Sequence, residues 1–139
     1  MEKLIICALM MLGLNTAGMA QNSKNTENNN KLVVIWSSAD TEVAEKACFT
    51  YIQNAKRQGW FDEVVLVIWG PSARVLAEND DLKADIKKMQ DLGIAIVASI
   101  SCAHTYGVDQ DLADLDIDVK AMGVPLSNYI KEGWHTLSF

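Results

Sequence analysis

The sequence predicts a three-layer α/β domain, in which a mostly parallel sheet of about five strands has helices on both faces. Short runs of consecutive apolar residues are typical of strands that are buried on both faces of a parallel sheet. Segments with the apolar spacing of helices separate these runs, as in βαβ units. The chain has 139 residues, which is enough for one hydrophobic core but not for two.

The first thirty residues are predicted to lie outside this domain. Residues 1–20 combine Lys3, an apolar run of about eleven residues and small residues at the end, which is the layout of a cleaved signal peptide. That run is shorter than the roughly twenty residues that span a bilayer. Residues 21–30 are polar and rich in Asn, as in a disordered linker. We therefore expect a secreted or periplasmic protein with one domain over 31–139.

The first half of the domain shows the clearest alternation of strand and helix patterns. Residues 32–36 form an apolar run and are predicted as the first strand. Residues 41–58 have apolar positions at three-to-four spacing, which predicts a helix that Gly59 ends. Residues 64–69 form the second apolar run and predict the second strand.

The pattern weakens toward the end of the chain. A short helix is expected after Gly70, and Asp80 and Asp81 can cap a further helix that ends at Gly93. Residues 94–98 predict the third strand. The remaining predicted elements are a short helix and loop over 101–115, a strand over 119–122, a helix over 126–131 and a closing strand over 134–139.

Charge and motif content exclude several classes of protein. The net charge is −6 and the pI is about 4.8, whereas nucleic acids and anionic lipid surfaces bind clustered Lys and Arg. We therefore expect no nucleic-acid partner and no membrane contact in the mature protein. The segment 109–118 is rich in aspartate, but it lacks the glycine and the glutamate that a calcium-binding loop requires. No metal site and no cofactor are expected.

Ligands of parallel α/β sheets bind beyond the carboxyl ends of the strands. Serine, aspartate and glycine residues follow three of the predicted strands. The predicted ligand cleft comprises Ser37, Ser38, Asp40, Gly70, Ser72 and Ser101. The residues at 37–41 could bind a small anion, but they are also ordinary helix-capping residues.

Cys102 follows the third predicted strand. If Ser101 caps a helix there, the thiol lies in the first turn, where free backbone N–H groups stabilise a thiolate. His104 could pair with the thiolate, although residues two apart on a helix do not face each other. The residues alone fit a nucleophile and a small packing group equally well.

Cys48 lies on the apolar stripe of the first helix, where a thiol is expected to pack in the core. A disulfide with Cys102 is the alternative, because export would place both thiols in an oxidising compartment.

The order of elements from residue 31 onward resembles that of the DsrE/DsrF family of small α/β sulfur-relay proteins. The resemblance includes the 32–36 strand, the Gly70-Pro71 turn, Cys102 after the third strand and the Glu132-Gly133-Trp134 segment before the last strand. It implies that Cys102 carries a persulfide and that the chain assembles as a trimer or hexamer.

Two functions remain open at this point. One is a cysteine-dependent sulfur carrier or sulfurtransferase-like protein, with Cys102 as nucleophile, His104 as a possible aid and donor or acceptor proteins as partners. The other is a non-catalytic exported module that binds a small molecule or a protein in the predicted cleft.

Overall fold

The computed structural model describes residues 30–139. The predicted signal peptide and residues 21–29 of the predicted linker lie outside the described residues. Five strands form one sheet in the order β4-β3-β2-β1-β5, and all pairings are parallel. The strands are β1 Lys31–Trp36, β2 Glu63–Ile68, β3 Ala95–Ser99, β4 Asp118–Lys120 and β5 His135–Ser138. The predicted parallel α/β sheet is confirmed.

Helices fill the connections between the strands. A π-helical segment, Val43–Phe49, leads directly into α1, Thr50–Arg57. The further helices are α2 Ser72–Glu78, α3 Asp80–Asp91, α4 Ile100–Tyr106, α5 Asp109–Ala113 and α6 Gly123–Lys131. Gly59, with φ of +66°, follows the end of α1 as the sequence predicts.

The strand order explains which helices cover which face. From β1 to β4 the chain steps across the sheet in one direction, and β5 then lies on the other side of β1. Because parallel crossovers are right-handed, reversing the direction moves the connecting helix to the opposite face. The π-helical segment and α1 to α5 therefore pack on one face, and α6 packs on the other.

The side chains of the strands show the same division. On β1, Val34 and Trp36 belong to the large core under α1 to α5, whereas Val33 belongs to a small core with Leu126 and Tyr129 of α6. Helices thus lie on both faces, as predicted, but very unequally. No helix in the described part of the chain is long and apolar enough to cross a membrane.

The π-helical segment was not predicted, and it changes what the first helix buries. In a π-helix, residues five apart align, so Ala44 and Phe49 share a face. Phe49 is 1% exposed, and its ring lies 4.9 Å from that of Trp36 in an edge-on arrangement. The apolar stripe that the sequence predicts for this helix does not include Phe49.

Candidate functional site

The turn between β2 and α2 is fixed to the end of β1. Ser72 is fully buried, and its Oγ lies 2.5 Å from the carbonyl oxygen of Trp36 and 2.9 Å from that of Trp69. The Ser72 hydroxyl also accepts from the Trp69 N–H at 3.2 Å. The Ser72 hydroxyl therefore forms hydrogen bonds with the backbone around the turn. It does not face a ligand cleft, contrary to the expectation from the sequence.

Gly70 gives this turn its shape. Its φ is +68°, which is a conformation that glycine adopts without the steric cost paid by other residues. The Gly70 N–H donates to the Sγ of Cys102 at 3.0 Å. The turn after β2 thus reaches the helix that follows β3.

Cys102 is the third residue of α4 and is half-buried. An N–H donor that points at the sulfur stabilises negative charge there and fixes the rotamer of the side chain. Cys102 is not fully buried, and a reactive thiol needs such partial exposure. The thiol thus lies in the first turn of a helix.

Ser101 is not the cap of this helix. Ser99, the last residue of β3, occupies the N-cap position and makes no side-chain capping bond. The strand runs into α4 without a loop, so the helix begins two residues earlier than the cap assignment requires. Ser101 lies exposed in the first turn, where its carbonyl oxygen accepts from Thr105 Oγ1 at 2.8 Å.

The partner of His104 is Asp109 and not the thiol. Its side chain is 64% exposed, and its Nε2 lies 3.8 Å from Oδ2 of Asp109. Among the described residues, no hydrogen bond joins His104 to Cys102. The expected assistance therefore has no geometric support, because residues two apart project in different directions from a helix.

Cys48 has the opposite environment from Cys102. It is 0% exposed in the large core, and burial raises the pKa of its thiol to about 12. Both cysteines are free thiols, so the alternative of a Cys48 to Cys102 disulfide is not formed. Cys48 is the core-packing thiol that the sequence predicts.

Polar groups of the loop after β1 form hydrogen bonds with the chain itself. The Ser37 N–H, the Ser38 N–H and the Ser37 hydroxyl all donate to the backbone oxygen of Phe139, at 2.8, 3.2 and 3.1 Å. Asp40 Oδ1 accepts from the N–H groups of Glu42 and Val43. These residues cap and tie the loop, and their use by the chain disfavours an anion site at 37–41.

Arg74 and Tyr106 form a contact between α2 and α4 that was not predicted from the sequence. The Arg74 guanidinium lies 5.9 Å from the centre of the Tyr106 ring. Tyr106 lies four residues, about one helical turn, after Cys102 on α4. This interval is visible in the sequence, but the packing of α2 beside α4 is not.

The described residues contain no group of three or more His, Cys, Asp and Glu side chains that could hold a metal ion. Together the features define a class: a parallel α/β domain with one half-buried, hydrogen-bonded thiol beyond the carboxyl ends of its strands.

The chain belongs to the DsrE/DsrF-like family, whose model matches residues 29–139. No curated protein matches the chain. Among solved structures, a conserved protein of unknown function, BT1422 from Bacteroides thetaiotaomicron, is 30% identical, with a TM-score of 0.78 over 82% of this chain and 98% of that one.

Two more distant structures share the fold. MTH1491 from Methanobacterium thermoautotrophicum, a protein of unknown function, is 19% identical, with a TM-score of 0.62 over 78% of this chain and 98% of that one. The ychN protein of E. coli is 13% identical, with a TM-score of 0.58 over the same shares.

Proposed function

We propose that this protein is a cysteine-dependent sulfur carrier, in which Cys102 bears a persulfide. Family membership supports a sulfur-relay role, and the Gly70 N–H that donates to Cys102 Sγ at 3.0 Å carries the assignment to this residue. Cys48 takes no part in the reaction, because it is fully buried.

The loading step is a thiolate exchange. The Cys102 thiolate forms a bond to the outer sulfur of a donor persulfide, and the donor thiolate leaves with the electron pair of the broken sulfur–sulfur bond. The terminal sulfur then stands beyond Sγ, near the Gly70 N–H. A donor at this place stabilises the anionic end of the persulfide before transfer to an acceptor thiolate.

Intact-mass analysis of the mature protein after incubation with glutathione persulfide tests this function. The expected product gains one sulfur atom, which peptide mapping places on Cys102 and reductant removes. Cys48→Ala should gain the sulfur as wild type does, and Cys102→Ser should not. Sulfur uptake by Cys102→Ser, or no uptake by wild type, contradicts the proposal.

We also propose that the carrier is exported and self-associates. The amino-terminal sequence supports export, and the exposed Val124 and Ile130 on α6, at 73% and 56%, support a contact between copies. Amino-terminal sequencing of the mature protein should begin at Gln21, and light scattering should give a trimer or hexamer. A retained Met1, or a monomer at micromolar concentration, contradicts the respective proposal.

A further inference from the structure

The orientation of one peptide group decides whether a backbone donor reaches Cys102. The Trp69 carbonyl and the Gly70 N–H belong to the same peptide group, which is planar and trans. The C=O and N–H bonds of a trans peptide point in opposite directions. The N–H of this group donates to Cys102 Sγ at 3.0 Å. A contact that holds the Trp69 oxygen therefore also holds the N–H in the direction of the sulfur.

Gly70 by itself does not fix this orientation. Rotation of the peptide group changes ψ of Trp69 and φ of Gly70, and glycine adopts positive and negative φ about equally well. The φ of Gly70 is +68°, and the position of a Cβ would be in open space. Since neither a Cβ nor a neighbour at that position restricts the rotation, another group must hold the peptide.

The Ser72 side chain contacts this peptide and joins it to the sheet. Its Oγ lies 2.9 Å from the Trp69 oxygen and 2.5 Å from the oxygen of Trp36, the last residue of β1. The Ser72 hydroxyl also accepts from the Trp69 N–H at 3.2 Å. Because Ser72 is 0% exposed, water does not compete for these hydrogen bonds.

We propose that Ser72 is a positioning residue, which holds the Trp69–Gly70 peptide in the orientation that aims the Gly70 N–H at Cys102 Sγ. This inference rests on the proposed function of Cys102, because the donor matters for a sulfur that carries negative charge as a thiolate or persulfide. It deepens that function by naming the side chain that keeps the donor in place during loading and transfer.

The pH profile of alkylation tests this role without any sulfur transfer. Iodoacetamide reacts with the thiolate, so its rate at Cys102, followed over pH, reports how well the donor stabilises negative charge. Ser72→Ala should shift the profile to higher pH by about 0.5 to 1 unit, as expected when one hydrogen bond to a charged group is weakened. The variant should fold, because the Trp69 N–H still donates to the Trp36 oxygen, at 3.0 Å.

Three further variants separate positioning from general effects of substitution. Ser72→Thr keeps the hydroxyl and should keep the wild-type profile. Ser127→Ala removes a hydroxyl that bonds to the backbone of α6, and Phe49→Ala removes a ring of the large core. Both leave the atoms of the turn unchanged and should keep the wild-type profile. Circular dichroism checks that each variant is folded.

A double substitution tests whether Ser72 acts through Gly70. Gly70→Ala and Ser72→Ala should each displace the same N–H donor. The double variant should therefore shift the profile no further than the larger of the two single shifts, whereas independent effects add. Additive shifts, an unshifted Ser72→Ala profile, or equal shifts in Ser72→Ala and Ser72→Thr overturn the positioning role.

Sulfur loading separates this inference from the carrier function. Ser72→Ala should load from glutathione persulfide several-fold more slowly than wild type, and Ser127→Ala should load at the wild-type rate. A wild-type pH profile and a wild-type loading rate in Ser72→Ala overturn the positioning role and leave the carrier function intact. Failure of wild-type Cys102 to load overturns the carrier function, whatever the alkylation profiles are.

Discussion

The two cysteines in the described part of the chain, Cys48 and Cys102, occupy regions with contrasting architecture. Cys48 lies on the π-helical segment inside the large core, with no exposed surface and a thiol pKa raised by burial to about 12. Cys102 lies at the start of α4, half-buried, with a backbone donor at its sulfur. The same side chain thus packs as a small apolar group in one region and is proposed as the nucleophile in the other.

A substitution in the core alone should have the largest effect, and it tests whether the two regions are independent. Phe49→Ala removes the ring that packs against Trp36 and should lower the free energy of unfolding by about 3 to 5 kcal/mol. Urea denaturation measures this loss. While the variant remains folded, iodoacetamide should modify Cys102 at the wild-type rate. A changed rate in the folded variant indicates that the core and the surroundings of Cys102 are coupled.

Alkaline pH should destabilise the region of Cys48. Because burial raises the pKa of this thiol from 9.0 to about 12, the unfolded chain ionises first as the pH rises. The stabilising effect of the buried thiol is complete below pH 9 and is lost as the pH approaches 12.

Between pH 8 and pH 10, wild type should therefore lose about 1 kcal/mol more unfolding free energy than Cys48→Ala. Urea denaturation at the two pH values measures the difference. Equal losses in the two proteins would show that the Cys48 thiol is not buried in the neutral form.

Gly70 and Gly107 provide a matched pair for the region of Cys102. Both have a φ near +67°, with open space where a Cβ would lie, so each change to Ala should cost about 1 kcal/mol of stability. Gly70→Ala should in addition slow sulfur loading of Cys102 several-fold, because relief of the strain moves the N–H donor. Similar loading rates in the two variants argue against a role for that donor.

His104 should matter least. Since its imidazole faces Asp109 and is 64% exposed, His104→Ala should change the rate of sulfur loading by less than about twofold, as is usual for an exposed side chain without a partner at the reacting atom. A decrease of tenfold or more in the rate of sulfur loading, measured by intact mass, would support a role for His104 beside Cys102.

The sheet could be predicted from sequence because each strand carries a local signal. Residues 64–69 and 94–98 are apolar runs between helical patterns, and β2 and β3 occupy these positions. The weak pattern near the end of the chain also contained a strand, although β4 is only Asp118–Lys120. Such elements can be recognised in a sequence because a strand buried on both faces is itself a short run of apolar residues.

The details of the site depended on contacts between distant segments. Gly70 and Cys102 are 32 residues apart in sequence, and the hydrogen bond between them follows from the packing of α2 beside α4. The same packing brings Arg74 to Tyr106. Phe49 was missed for a different reason, because a π-helical turn changes the period by which buried positions are recognised.

The most direct test of the contrast is the rate at which each thiol is alkylated in the native protein, resolved by peptide mapping. Iodoacetamide should modify Cys102 at least about a hundred times faster than Cys48, whose exposure requires unfolding, and in urea the two rates should converge. Comparable rates in the native protein, or faster modification of Cys48, would contradict the assignment of one reactive and one structural thiol.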